Sequence, residues 1–164
     1  MLLNHNRAFQ LIKLLDKSIK NPKTSLKYRN RFTLLTSVVL SAQCTDLNVN
    51  NVTKNIYKKY YTPEHFVNLG INKIRNLIKK IGLFNNKAKN LYNLSKILLE
   101  KYQSKVPNKF EDLISLPGVG RKTANVVLNA AFNKATIAVD THVFRVANRT
   151  GLSNGESPEK VESQ

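Results

Sequence analysis

The chain predicts an all-α fold. Apolar residues recur at spacings of three and four along most of its length. The segment Phe32 to Leu40 is apolar nearly all round, as a central buried helix should be, and several helix starts carry capping residues. The short run Thr136 to Val139 reads like a strand in composition, but nothing else in the sequence pairs with it in pattern.

The elements follow in order. Thr62, Pro63 and Glu64 give a cap, a first-turn proline and a favourable first-turn acid, so a helix starts there. Ile71, Ile74, Ile78 and Ile81 form one apolar stripe, and Ala88, Leu91, Ser95, Leu98 and Tyr102 form the next. Two further periodic stretches, Phe110 to Leu116 and Thr123 to Phe132, flank a tight turn. Val143, Phe144, Val146 and Ala147 continue the pattern, and Asp140 or Thr141 caps that helix. Ser157, Pro158 and Glu159 signal one more start.

The turn reads LPGVGRK over residues 116 to 122. Pro117 stops the first helix. Gly118 and Gly120 permit backbone conformations and close approaches that a side chain would block, and amides opening the second helix suit an anion such as a phosphodiester. Lys122 falls in the first turn of that second helix, beside Arg121. The positive end of the helix dipole and a neighbouring cation both disfavour an ammonium, which is one route to a nucleophilic lysine. Most first-turn lysines are solvated surface residues, so the neighbourhood must carry the case. Asp140, in VDTHVFRV, supplies a carboxylate that either caps its helix or faces a reaction centre, and the two roles are compatible.

The block LPGVGRKTANVVLNAAF followed by TIAVDTHVFRVANRTGL closely resembles the bacterial endonuclease III family of the helix-hairpin-helix superfamily. LLTSVVLSAQCTD and IKKIGLFNNKA extend the likeness, which runs from about residue 7 to the last residue. LPGVG alone is shared by many DNA binders. A lysine two residues after its second glycine, with VDTH at this spacing, is much narrower.

The resemblance implies a helix-hairpin-helix DNA glycosylase fold: a six-helix domain over residues 24–134, and a second helical domain from 1–23 and 135–164. It implies a bifunctional enzyme of base-excision repair, a DNA glycosylase removing oxidised pyrimidines with apurinic/apyrimidinic (AP) lyase activity. Lys122 would attack C1′ and form a Schiff base, and Asp140 would assist the attack and later proton transfers. Gln43 would fill the vacated base stack, and Leu83 would wedge against the opposite strand. IGLF also fits a helix C-terminus with Gly82 as left-handed cap and Leu83 as its hydrophobic partner. Leu116, Gly118, Val119, Gly120, Arg121 and Arg145 are the remaining DNA-contact candidates. The partner expected is double-stranded DNA containing damaged bases or AP sites, bound by a monomer.

The family pattern continues with further helices and a four-cysteine loop holding a 4Fe–4S cluster. This chain has Cys44 alone, so the cluster ligands are absent from it and the second domain is expected to be incomplete. The alternative function is therefore a truncated DNA-binding remnant without activity. A helical protein-interaction domain ranks behind both.

Composition is permissive. The net charge is +17, from 27 Lys and Arg against 10 Asp and Glu, and suits a polyanion. Only seven of those cations are arginine, and asparagine is also frequent, so adenine-rich codons are a rival cause of the charge. The hairpin carries the DNA argument. No stretch has the apolar length of a membrane span and no signal-peptide pattern opens the chain, so a cytoplasmic, nucleoid location is expected. The lone cysteine excludes an internal disulfide and reads as a buried helix-end residue. His5, His65 and His142 are too scattered for a metal site.

Overall fold

The computed structural model describes residues 2–20 and 22–164, so Met1 and Asn21 of the expected 1–23 segment lie outside the described residues. Among the described residues the regular structure is all helical: α1 (His5–Ser18), α2 (Arg31–Ser41), α3 (Asp46–Lys59), α4 (Pro63–Leu77), α5 (Phe84–Tyr102), α6 (Phe110–Ile114), α7 (Arg121–Phe132), α8 (Thr141–Thr150) and α9 (Pro158–Ser163). The run Thr136 to Val139 is irregular chain, as expected of a segment with nothing to pair against. Two compact units are present, Thr24–Thr136 on the one hand and Met1–Lys23 with Ile137–Gln164 on the other.

Within Thr24–Thr136, α2 is the axis. Asn30 caps it reciprocally with Thr33: the Thr33 amide donates to Asn30 Oδ1 at 2.9 Å, and the Asn30 amide donates to Thr33 Oγ1 at 2.9 Å. Every residue from Phe32 to Leu40 is buried, because α3, α5 and α7 all pack against this helix. Burying it all round also buries hydroxyls, and these are satisfied internally. Thr36 Oγ1 and Ser37 Oγ each lie 2.8 Å from the Tyr57 hydroxyl of α3. Desolvation in this core raises the Tyr57 pKa from 10.0 to about 12, against the opposing pull of its Ser37 and Thr36 hydrogen bonds.

Helix α4 starts where the sequence says, with Thr62 Oγ1 accepting from the His65 amide at 3.4 Å and Pro63 in the first turn. Gly70, at φ 69° and ψ 164°, breaks its path, so two shorter helical pieces meet at a bend. Helix α4 packs against α5, Ile74, Ile78 and Ile81 are buried, and the α5 stripe of Ala88, Leu91, Leu94, Ser95 and Leu98 is buried in turn.

One local expectation is corrected. Gly82 is not among the left-handed residues; Leu83 adopts that conformation itself, at φ 57°, and is 58% exposed. The chain has already left α4 at Ile78, and the Ile81 amide closes a tight turn onto the Ile78 carbonyl at 2.8 Å. Leu83 therefore protrudes as a turn tip and does not pack as a cap partner.

The second unit has a small core of Val139, Ala147 and Val161. Asp140 caps α8, Gly151 at φ 77° ends it, and Ser157 caps α9 by accepting from the Lys160 amide at 3.3 Å. Helix α1 is capped by Asn4 and has no buried residue.

Candidate active site

The hairpin is α6, a turn and α7. Gly118 takes φ 79°, and a Cβ there would stand 2.8 Å from Asn90 Nδ2 of α5, so both its conformation and its surroundings require glycine. Gly120 differs. It is the extended N-cap of α7 with no side-chain capping bond, and a Cβ on it would meet nothing within 4 Å. No neighbour in the protein demands glycine at 120; its absent side chain keeps the approach to the α7 amides open. Leu116 and Val119 are 2% and 6% exposed, so their side chains serve the core, and the Val119 amide donates to the Leu116 carbonyl at 3.1 Å within the turn. Arg121 is exposed and stacks its guanidinium over the Phe110 ring at 4.8 Å, fixing it across the hairpin.

Lys122, the second residue of α7, is exposed and lines a cleft of about 270 Å³ together with Gln43, Asp46, Ser41, Ala42 and Thr123. The structure thus brings Lys122 and Gln43 to one cleft from α7 and from the turn after α2. Gln43 holds φ 54°, which projects it from the end of α2. The Gly82 backbone lies beside it, its hypothetical Cβ 3.8 Å from the Gln43 carbonyl oxygen, so the Leu83 tip adjoins the Gln43 turn. Nothing in the sequence distinguishes Asp46. Thr45–Asp46 reads as a cap followed by a first-turn acid, and that ordinary pattern hides a carboxylate that accepts a hydrogen bond from Ser25 and faces the lysine's cleft.

In the other unit, Asp140 is half-buried and its Oδ1 accepts from the His142 and Val143 amides, each at 2.9 Å. Two charge-assisted bonds at a helix N-terminus orient the carboxylate firmly. Arg145, one turn along α8, is exposed with Nη2 3.5 Å from His142 Nδ1.

A 4Fe–4S cluster needs four thiolates. Among the described residues no group of three or more His, Cys, Asp and Glu is placed to hold a metal ion. Cys44 is half-buried and not buried as expected, with its sulfur accepting from Asn48 Nδ2 at 3.3 Å. The residues present do not fit the cluster. No helix among the described residues is long and apolar enough to cross a membrane.

Comparison with known proteins places this architecture. The profile of the HhH-GPD superfamily base excision DNA repair proteins matches residues 36–164. Endonuclease III of Rickettsia conorii is 56% identical over 159 residues, which are 97% of this chain and 74% of that protein. Endonuclease III of Escherichia coli K12 is 44% identical over 99% of this chain and 77% of its own length. A solved structure of a trapped endonuclease III–DNA covalent intermediate has a TM-score of 0.92 at 42% identity, over 99% of this chain and 76% of that one. The chain spans about three quarters of the length of these relatives. It belongs to the HhH-GPD superfamily of base excision DNA repair proteins and, within it, to the endonuclease III family of DNA glycosylases with AP lyase activity.

Proposed function

We propose that Lys122 is the nucleophile of this chain and that its substrate is double-stranded DNA carrying oxidised pyrimidines or AP sites. One observation carries the reading: Lys122 lies in the first turn of α7, two residues beyond a glycine that no protein neighbour requires, and lines the cleft that also holds Gln43 and Asp46. The hairpin amides receive a phosphodiester, and the nucleotide beside it is extruded toward the lysine. Gln43 and the exposed Leu83 occupy the space left in the duplex.

The unprotonated Nζ of Lys122 attacks C1′, and the C1′–N bond breaks with its electron pair leaving on the base, which takes up a proton. Opening of the sugar at O4′ then gives an imine between Lys122 and C1′. The imine acidifies C2′–H, a base removes that proton, and the electron pair expels the 3′ phosphate. Water hydrolyses the remaining imine and frees the lysine. Asp140, held by two amides, takes part as the carboxylate that assists the attack and the proton transfers. The protein acts as a monomer in the cytoplasm, at the nucleoid.

Borohydride reduction during reaction with a duplex containing an oxidised pyrimidine tests this. A covalent protein–DNA adduct that disappears in Lys122→Ala is the expected result. Binding of the duplex with no adduct in the parent chain would instead mark a DNA-binding protein without the chemistry.

A further inference from the structure

The turn carrying Gln43 and the turn carrying Leu83 are fastened together by a lysine that the chemistry does not use. Lys87 is only 5% exposed, although lysine is almost never fully buried without a partner. Its Nζ donates to the Leu40 carbonyl at 2.9 Å and to the Ala42 carbonyl at 2.7 Å, the end of α2 immediately before Gln43. Its own amide donates to the Leu83 carbonyl at 3.1 Å. One residue therefore holds one turn with its side chain and the other with its backbone.

A second tie runs the same way. Asn48 Nδ2 donates to Cys44 Sγ at 3.3 Å and to the Lys80 carbonyl at 3.1 Å, linking the residue after Gln43 to the approach to Leu83. Both turns are left-handed at their tips, Gln43 at φ 54° and Leu83 at φ 57°, and both tips are exposed. Two strained, exposed turns drawn from distant parts of the chain would normally move independently.

The usual way to close α2 would be a glycine in the next turn. This helix is closed by a cation 47 and 45 residues away, at the cost of desolvating it. A remote cap does what a local one cannot, because it fixes the distance between two separate turns. We infer that Lys87, seconded by Asn48, is a positioning residue that locks the Gln43 and Leu83 turns into one rigid element, so that the two side chains enter damaged DNA together. This rests on the proposed roles of Gln43 and Leu83 in the duplex.

The test is a double-mutant cycle on the full chain. Binding is measured at fixed salt to a duplex holding a tetrahydrofuran abasic analogue opposite 2-aminopurine, whose fluorescence reports unstacking. In the parent background, Gln43→Ala and Leu83→Ala should each weaken binding about tenfold, and the pair together should lose little more than either alone, as expected of groups acting as a unit. With Lys87→Met, which keeps the stem and removes the ammonium, affinity and the fluorescence change should already be reduced. The two alanine changes should then combine to within about twofold of additivity. Borohydride trapping, measured separately on a natural AP site because the tetrahydrofuran analogue has no C1′ carbonyl to form the imine, should fall on duplex relative to single-stranded DNA carrying the same site.

A folded Lys87→Met protein that retains the parent's coupling and duplex preference overturns the proposal and leaves Lys87 a core residue only. If Lys87→Met does not fold, Asn48→Ala decides on the same criterion: reduced coupling supports the lock and unchanged coupling rejects it. If Gln43→Ala and Leu83→Ala leave parental binding unchanged, the probe roles themselves fail and the inference falls with them.

Discussion

Gly118 lies so close to Asn90 that a methyl group at 118 would sit 2.8 Å from the Asn90 amide nitrogen, whereas two residues later a methyl on Gly120 would touch nothing. The two glycines of the hairpin are therefore glycines for different reasons, one internal to the protein and one facing outward.

Alanine substitution separates those reasons. Gly118→Ala should destabilise the protein by at least about 1–2 kcal/mol, the backbone cost of a left-handed residue with a Cβ, with the Asn90 contact adding to it. Gly120→Ala should leave thermal unfolding within about 0.5 kcal/mol of the parent, as surface changes do, yet weaken binding to undamaged duplex. Unchanged affinity of Gly120→Ala across a salt titration would remove the phosphate from that position.

Tyr57 makes a prediction at high pH. Its folded pKa is raised to about 12 from 10.0, so ionisation is easier in the unfolded chain. The stability it contributes is fully present below pH 10 and is lost as pH rises through 12. Tyr57→Phe should cost about 1 kcal/mol at neutral pH by leaving the Thr36 and Ser37 hydroxyls short of a partner. Denaturant titrations from pH 9 upward should show a shallower alkaline decline in this variant, and parallel declines would contradict the assignment.

Asp140 has a capping role that can be separated from its charge. Asp140→Ala should lose about 1 kcal/mol through the cap. Asp140→Asn keeps a capping oxygen and should retain the parent's unfolding midpoint, while borohydride trapping slows about a hundredfold or more, the range for loss of a group that moves protons. Trapping at the parental rate in the asparagine variant would reduce Asp140 to a cap.

Much of this architecture is legible in the sequence because its signals are local. Nine consecutive residues from Phe32 to Leu40 announce a buried helix, and Thr62, Asp140 and Ser157 each stand where a cap is observed. The lysine and the glutamine that share the cleft were also readable, since each lies in a motif. What escaped had either a blurred local period or a long-range cause. Helix α3 buries Val49, Thr53, Ile56 and Tyr57, but the threonine inside the stripe and the asparagines around it blur the helical period. Lys87 looks like any other cation of a strongly basic chain, because nothing near it in sequence reveals two carbonyls waiting 45 and 47 residues back. Gly82 shows the opposite error, a plausible local rule overruled when the chain turned one residue later.

The contrast between α2, buried on every side, and α1, with no buried residue, sets two clocks for amide exchange. Deuterium reaches the hydrogen-bonded amides of Leu34 to Leu40 only when the helices around them separate, so their exchange reads the global opening of the Thr24–Thr136 unit. The α1 amides need no such event. A protection gradient from one helix to the other would measure how unevenly the cohesion of this chain is distributed.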